Sequence, residues 1–319
     1  MIISASRRTD IPAFYYEWFS NRLKDGYVLV RNPLNIHQVS KIKLTPDVVD
    51  FIVFWTKNPE NMINRLDELR DYNYYFQFTV TSYDKDIEEN VPQKGKYILS
   101  TFKKLSDKIG KEKVIWRYDP ILLNEKYTIE YHSENFEKLA KQLSDYTEKC
   151  TISFLDFYKK TERNLKDSSV ENIDNEKIKM IAKILSDIAK HYNLKLDTCS
   201  ENIDLEEFGI SHAHCIDAEL MEKLTNYEFN VGKDKNQRKE CGCVESIDIG
   251  TYNTCKNGCK YCYANFNKSQ VESNCALHDF YSELLCGGIN KTSDKITERK
   301  VKSIKQKINK ESQLKLSID

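Results

Sequence analysis

Long apolar runs are missing from this 319-residue chain. No stretch approaches the about eighteen apolar residues that cross a bilayer, so a membrane-spanning helix is excluded. Net charge is missing too, because 49 basic and 49 acidic side chains cancel. That excludes a strongly basic nucleic-acid footprint over the whole chain. Neither GxGxxG nor GxxxxGK[ST] occurs, so neither a dinucleotide fold nor a P-loop is signalled. There is no internal repeat and no low-complexity linker. Cysteine is almost absent from residues 1–198, which hold Cys150 alone and three glycines. Residues 199–319 hold the other nine cysteines and seven glycines, a distribution that one evenly built apolar domain would not have. The opening MIISASRRTD has no basic segment followed by an apolar one. A cytoplasmic protein is therefore expected, with reduced thiols that read first as metal ligands or redox groups. Apolar residues make up 40%, enough for a core without disulfide staples.

What is present begins with alternation. Apolar, β-branched runs at Ile2–Ser6, Tyr27–Asn32, Phe51–Lys57, Tyr74–Thr81, Val114–Asp119, Cys150–Asp156 and Leu194–Cys199 read as strands. Amphipathic segments lie between most of them, at Ile11–Lys24, Glu60–Tyr72, Lys96–Ile109, Ile129–Tyr146 and Glu176–Tyr192. The run QVSKIKL reads as an extra strand. Nearly continuous apolar strands alternating with helices predict an α/β fold with a covered parallel sheet. The best fit is a closed, partial or permuted TIM-like β/α barrel. Residues 1–200 would be its core and 201–290 a cysteine-rich, cluster-binding region packed on the barrel mouth. Residues 291–319 carry nine Lys/Arg and four Asp/Glu, a net +5, and keep Val301, Ile304 and Ile308 at helical spacing. They read as a basic terminal helix or tail, with room for a nucleic-acid arm.

In such barrels the chemistry collects where strands end. Here those ends are polar and distinctive. Arg7, Arg8 and Asp10 form the densest cluster, and arginine binds carboxylate or phosphate bidentately, so they are the candidate catalytic or anchoring residues. Lys57, Asn58, Arg117 and Asp119, also at strand ends, are candidate cofactor-binding residues.

The sharpest feature is TCKNGCKYCYAN, with Cys255, Cys259 and Cys262 spaced C-x3-C-x2-C. Three thiolates this close in sequence can converge on one metal centre, and Gly250 and Gly258 give the backbone room for a tight wrap. The segment resembles the cluster loop of radical S-adenosylmethionine enzymes, with Tyr261 in the aromatic place before the last cysteine. More of the chain resembles a bacterial family that opens ISASRRTDIPAFY and closes with this loop, and, more distantly, the spore photoproduct lyase type of radical enzyme. The resemblance implies a [4Fe–4S] cluster on three cysteines and S-adenosylmethionine on the free iron. It also implies reductive cleavage to a 5′-deoxyadenosyl radical and a small flavodoxin- or ferredoxin-like electron donor. It names no substrate. The loop stands near the C-terminus, whereas enzymes of this type carry it after the first barrel strand. The run VESIDI before it would then be a strand placed last in a permuted barrel.

Cys199, Cys215, Cys241 and Cys243 remain. They could hold a second, fully ligated iron–sulfur cluster. Alternatively, His212 and His214 could complete a zinc site with Cys241 and Cys243. Two other readings stay open. One is a non-catalytic protein with a structural zinc or iron–sulfur site. The other is a nucleic-acid-directed lyase or repair enzyme, against which the neutral charge argues.

Overall fold

The structure is a computed structural model and describes residues 1–157 and 159–307. The chain runs β1 (Ile2–Ala5), α1 (Ile11–Phe14), α2 (Tyr16–Asp25), β2 (Tyr27–Asn32), β3 (Asn35–Lys43), β4 (Phe51–Thr56), α3 (Glu60–Ile63) and β5 (Tyr74–Thr79). It continues with α4 (Leu99–Ile109), β6 (Val114–Ile121), α5 (Ile129–Leu143), β7 (Lys149–Phe154), α6 (Lys159–Leu165), α7 (Asn175–His191), β8 (Lys195–Thr198) and β9 (Ser211–His212). The last elements are α8 (Ala218–Thr225), β10 (Tyr227–Phe229), β11 (Ile247–Asp248), α9 (Lys268–Ala276), β12 (Lys295–Glu298) and β13 (Lys305–Lys307).

Eight strands form one sheet in the order β11-β1-β4-β5-β6-β7-β8-β9, and every pairing in it is parallel. The fold is therefore mixed α/β on a large parallel sheet. Its two edge strands, β11 and β9, do not pair with each other among the described residues. Side chains alternate between faces along each strand. Ile3, Ile52, Phe54, Phe76, Trp116 and Ile152 join the core beneath helices α2, α4, α5 and α7. Ile2, Phe51, Val53, Tyr75 and Ile115 point the other way, onto Cys215, Ile216, Met221, Phe229, Cys241 and Cys243. The cysteine-rich segment thus covers the second face of the sheet. Because β9 and β11 join the same sheet, the change of composition near residue 200 is not a break in it.

The predicted strands appear within a few residues of their expected limits, and QVSKIKL lies in β3. The expected helix over 11–24 is divided at Tyr15, whose hydroxyl is anchored to Thr254 O and whose backbone leaves the helical region. The expected helix over 60–72 shortens to one α turn and a 3-10 segment, Leu66–Leu69. The terminal segment corrects the sequence reading. Where the spacing of Val301 and Ile304 predicted a helix, β12 pairs with β3 and β13 with β10. Open strand edges on β3 and β10 offered hydrogen-bond partners, and these outweighed a weak local preference. Ile308 lies outside the described residues.

Candidate functional site: two groups of cysteines on one sheet

Strand β11 ends in Asp248, whose carboxylate ties the ends of the two neighbouring strands together. It accepts from Ser4 Oγ at 2.6 Å, Ser6 Oγ at 2.7 Å, Arg7 N at 2.8 Å and Gly250 N at 2.9 Å. Gly250 follows because nothing larger fits: a Cβ there would stand 2.1 Å from Ser6 Oγ. The chain then enters the loop of Cys255, Cys259 and Cys262 at the C-terminal edge of the sheet.

Two buried carboxylates hold this loop. Asp10 Oδ1 caps α1 through Ala13 N at 3.0 Å, while Oδ2 accepts from Lys57 N at 2.8 Å and Asn257 Nδ2 at 3.1 Å. Asn257 Nδ2 also lies 3.4 Å from Cys255 Sγ. Glu88 is the second. Its Oε1 accepts from Lys57 Nζ at 2.7 Å, Thr81 Oγ1 at 2.7 Å and the Tyr261 hydroxyl; Lys94 Nζ pairs with Oε2 at 2.7 Å. Burial pushes the Glu88 carboxyl up, but the two lysines outweigh it and hold it down at about 2. Burial likewise pushes Lys57 down, and Glu88 more than restores it, so this ammonium stays charged in the interior. The backbone follows: residues 88 and 259 form an antiparallel bridge, Lys260 N donates to Ile87 O at 2.9 Å, and Asn90 N donates to Asn257 O at 3.0 Å.

The three thiols of the loop are free. They make no hydrogen bond to one another among the described residues, yet Cys255 feels the charge of both Cys259 and Cys262. Burial raises all three, Cys259 to about 12, with Lys57 pulling Cys259 and Cys262 the other way and the Asn257 backbone pulling Cys255. The Lys57 ammonium stands 5.5 Å from the centre of the Tyr261 ring.

The second group is built differently. Cys199 follows β8, Cys215 follows β9, and Cys241 and Cys243 precede β11. Their side chains gather in one buried cluster. Cys199 Sγ lies 3.2 Å from Cys215 Sγ, and Ile216 N donates to Cys243 Sγ at 3.4 Å. Arg117 Nη1 donates to Cys215 Sγ at 2.9 Å and to Gln77 Oε1 at 3.2 Å, while its Nε donates to Asp119 Oδ2 at 2.9 Å. Ser153 Oγ holds the other oxygen of Asp119. His212 and His214, expected as alternative ligands, are exposed, and the His214 ring lies over Gly242. Among the described residues, no three His, Cys, Asp or Glu side chains stand as a preformed ion site.

The remaining candidates divide between the two groups. Arg7 reaches toward the second, feeling the charge of Cys243 and Cys215; its Nη2 donates to Ser246 Oγ at 3.1 Å. Arg8 turns to the first loop, with Nη1 3.4 Å from Gly250 O and its guanidinium 5.2 Å from the centre of the Tyr252 ring. Asp10 is committed to holding Lys57 and Asn257 in place. Asn58 stands apart: it accepts from Glu60 N at 3.4 Å at the start of α3. Glu88, Lys94, Asp248 and Asn257 were missed. Asp248 had a signal, a carboxylate at a strand end before glycine; Glu88, in an ordinary acidic loop, had none.

Beside these groups, at the ends of β7 and β8, lies a cleft of 480 Å³ lined in part by Phe154, Phe157, Val170, Ile173 and Glu201. Burial raises the Glu201 carboxyl to about 7. Helix α6 forms part of the wall, and its Asn164 Nδ2 donates to Asn265 O just past the cysteine loop. No helix among the described residues is long and apolar enough to cross a membrane.

No curated protein matches the chain. A crystal structure described as a putative alpha-L-fucosidase from Bacteroides thetaiotaomicron VPI-5482 aligns over 70% of this chain and 84% of its own, at 11% identity and a TM-score of 0.25. A superposition that loose carries no argument. The family model described as a domain of unknown function (DUF1848) matches residues 2–264, from β1 to just past Cys262, and the chain belongs to that family.

Proposed function

We propose that the chain is a radical S-adenosylmethionine-type iron–sulfur enzyme on a permuted, partial β/α barrel. One observation carries the reading: β11, the strand that leads into the three-cysteine loop, pairs in parallel with β1. It is late in sequence but stands beside the first strand in space, which is where a barrel would put the leading strand of such an enzyme. The donor set fits the group. Cys255, Cys259 and Cys262 are free thiols on one loop, close enough that Cys255 feels the charge of both others. They would hold the cluster. When bound, a [4Fe–4S] cluster with one iron free of protein supplies the electron that cleaves S-adenosylmethionine to methionine and a 5′-deoxyadenosyl radical.

The chain's own residues do the rest. Lys57, kept charged by Glu88, sets a buried cation beside Cys259 and offsets thiolate charge. Asp10, Asn257 and Asp248 fix the loop against β1, so the donors are preorganised on rigid elements. Arg117 and Asp119, at the end of β6, offer a charged pair for polar groups of the cofactor. The cleft beside Glu201 provides space for a substrate, with a carboxyl poised to take or give a proton near neutral pH.

The test is anaerobic reconstitution of the full chain with iron and sulfide, followed by S-adenosylmethionine and a reductant. About four irons bound at this loop and released 5′-deoxyadenosine are expected. Reconstituted protein that binds no iron, or binds it without cleaving the cofactor, would sink the proposal.

A further inference from the structure

We infer that Cys199, Cys215, Cys241 and Cys243 form a second, closed metal site for one tetrahedral ion, zinc, distinct from the three-cysteine loop. Four observations carry it. First, Cys199 Sγ and Cys215 Sγ are 3.2 Å apart, and Cys215, Cys241 and Cys243 are buried in one cluster with Cys199 packed against it. Around one tetrahedral zinc with bonds of about 2.3 Å, sulfurs stand about 3.7 Å apart. The observed 3.2 Å between Cys199 and Cys215 is close to that spacing and slightly inside it, so an ion entering the group pushes the sulfurs apart by roughly half an ångström. A [4Fe–4S] cluster, with each thiolate on its own iron, would need them well separated.

Second, hydrogen-bond donors already point at the sulfurs. Arg117 Nη1 approaches Cys215 Sγ at 2.9 Å, and Ile216 N approaches Cys243 Sγ at 3.4 Å. A guanidinium donating to sulfur suits a thiolate, and N–H groups aimed at thiolates are the usual outer partners of metal-bound sulfur. Third, Arg7 Nε is a buried donor with no partner, on a side chain that feels Cys243 and Cys215. Zinc with four thiolates carries a net charge of about −2, so it would give this guanidinium a counter-charge inside the fold.

Fourth, the backbone of the site is fixed in advance. Tyr75 OH and Gln77 Nε2 both donate to Cys215 O, at 2.8 and 2.9 Å, and Val244 N donates to Ile216 O at 3.1 Å. The site therefore clips both ends of the excursion 199–243 onto the face of the sheet formed by Ile2, Phe51 and Tyr75. Closed four-thiolate zinc sites are structural and contribute directly to folding.

The experiment is metal analysis of the full chain as purified, alongside Cys255→Ala and Cys243→Ser. One zinc per chain is expected in the wild type and in Cys255→Ala, and none in Cys243→Ser. A second measurement uses the wild type alone, so that it does not depend on Cys243→Ser folding. Alkylation followed by mass spectrometry is run before and after chelation. Cys199, Cys215, Cys241 and Cys243 are expected to react only after chelation. Absence of zinc, zinc lost in Cys255→Ala, iron held by the quartet, or alkylation of the four before chelation each overturns the inference. Loss of cluster activity with zinc retained would count against the radical-enzyme reading alone.

Discussion

The two cysteine groups lie against one parallel sheet and differ in nearly every respect. The trio comes from eight consecutive residues on one loop, next to a charged network of Lys57, Lys94 and Glu88. The quartet comes from three separate segments, and the sulfurs of Cys199 and Cys215 touch. Three donors on one loop leave a coordination position free for a ligand. Four donors gathered from around a point leave none. On the proposed assignments, sequence density is a poor guide to closure: the crowded motif would make the open site, and the scattered cysteines the closed one.

The most severe way to break the contrast is Cys259→Ala. It should remove the iron of the trio and reduce cleavage of S-adenosylmethionine to background, while zinc content stays at one per chain. Metal analysis and detection of 5′-deoxyadenosine check both halves. Next in size is Glu88→Gln. It leaves Lys57 and Lys94 without their buried partner, so urea unfolding should show a loss of about 3–5 kcal/mol. The quartet makes no contact with Glu88 among the described residues, so its zinc should persist wherever the variant remains folded.

Acid strips thiol-bound metals from either site, so the scaffold's own acid response must be separated from theirs. His132 is fully buried, bonded to Leu122 O at 2.9 Å and to the Tyr118 hydroxyl at 2.7 Å. Burial lowers it from the usual value to about 4. The unfolded state therefore takes up a proton first, and stability is lost as pH falls from about 6.5 to about 4, by up to about 3 kcal/mol. His132→Gln should flatten that slope in pH-dependent unfolding without moving the pH at which zinc leaves. An unchanged slope would remove His132 from the account.

The smallest effects come from two glycines. Gly250→Ala drives a Cβ to within 2.1 Å of Ser6 Oγ, in a buried junction, and should cost about 1–3 kcal/mol along with iron loading. Gly242→Ala meets only the exposed ring of His214, which can swing away, so both stability and zinc content should change less.

Much of the sheet was legible because its strands are apolar on both faces and end in polar residues. Phe51–Lys57 and Val114–Asp119 could hardly be read otherwise. The trio was legible because its cysteines are close in sequence. Glu88 was not, since a carboxylate in an acidic loop looks solvated until two lysines and a tyrosine are folded around it. The helix reading of the tail failed because Val301 and Ile304 keep helical spacing, while the segments flanking them, Lys295–Glu298 and Lys305–Lys307, pair with β3 and β10, far away in sequence.

The sequence alone determined the α/β class, the strand-by-strand alternation and the three-cysteine loop, all of which depend on neighbours within a few residues. Only the tertiary structure decided where that loop stands, because Ile247–Asp248 reaches β1 across more than two hundred residues by backbone pairing that leaves no local mark. It also decided that Cys199, Cys215, Cys241 and Cys243 meet, since their convergence depends on a covered sheet face rather than on any spacing between them.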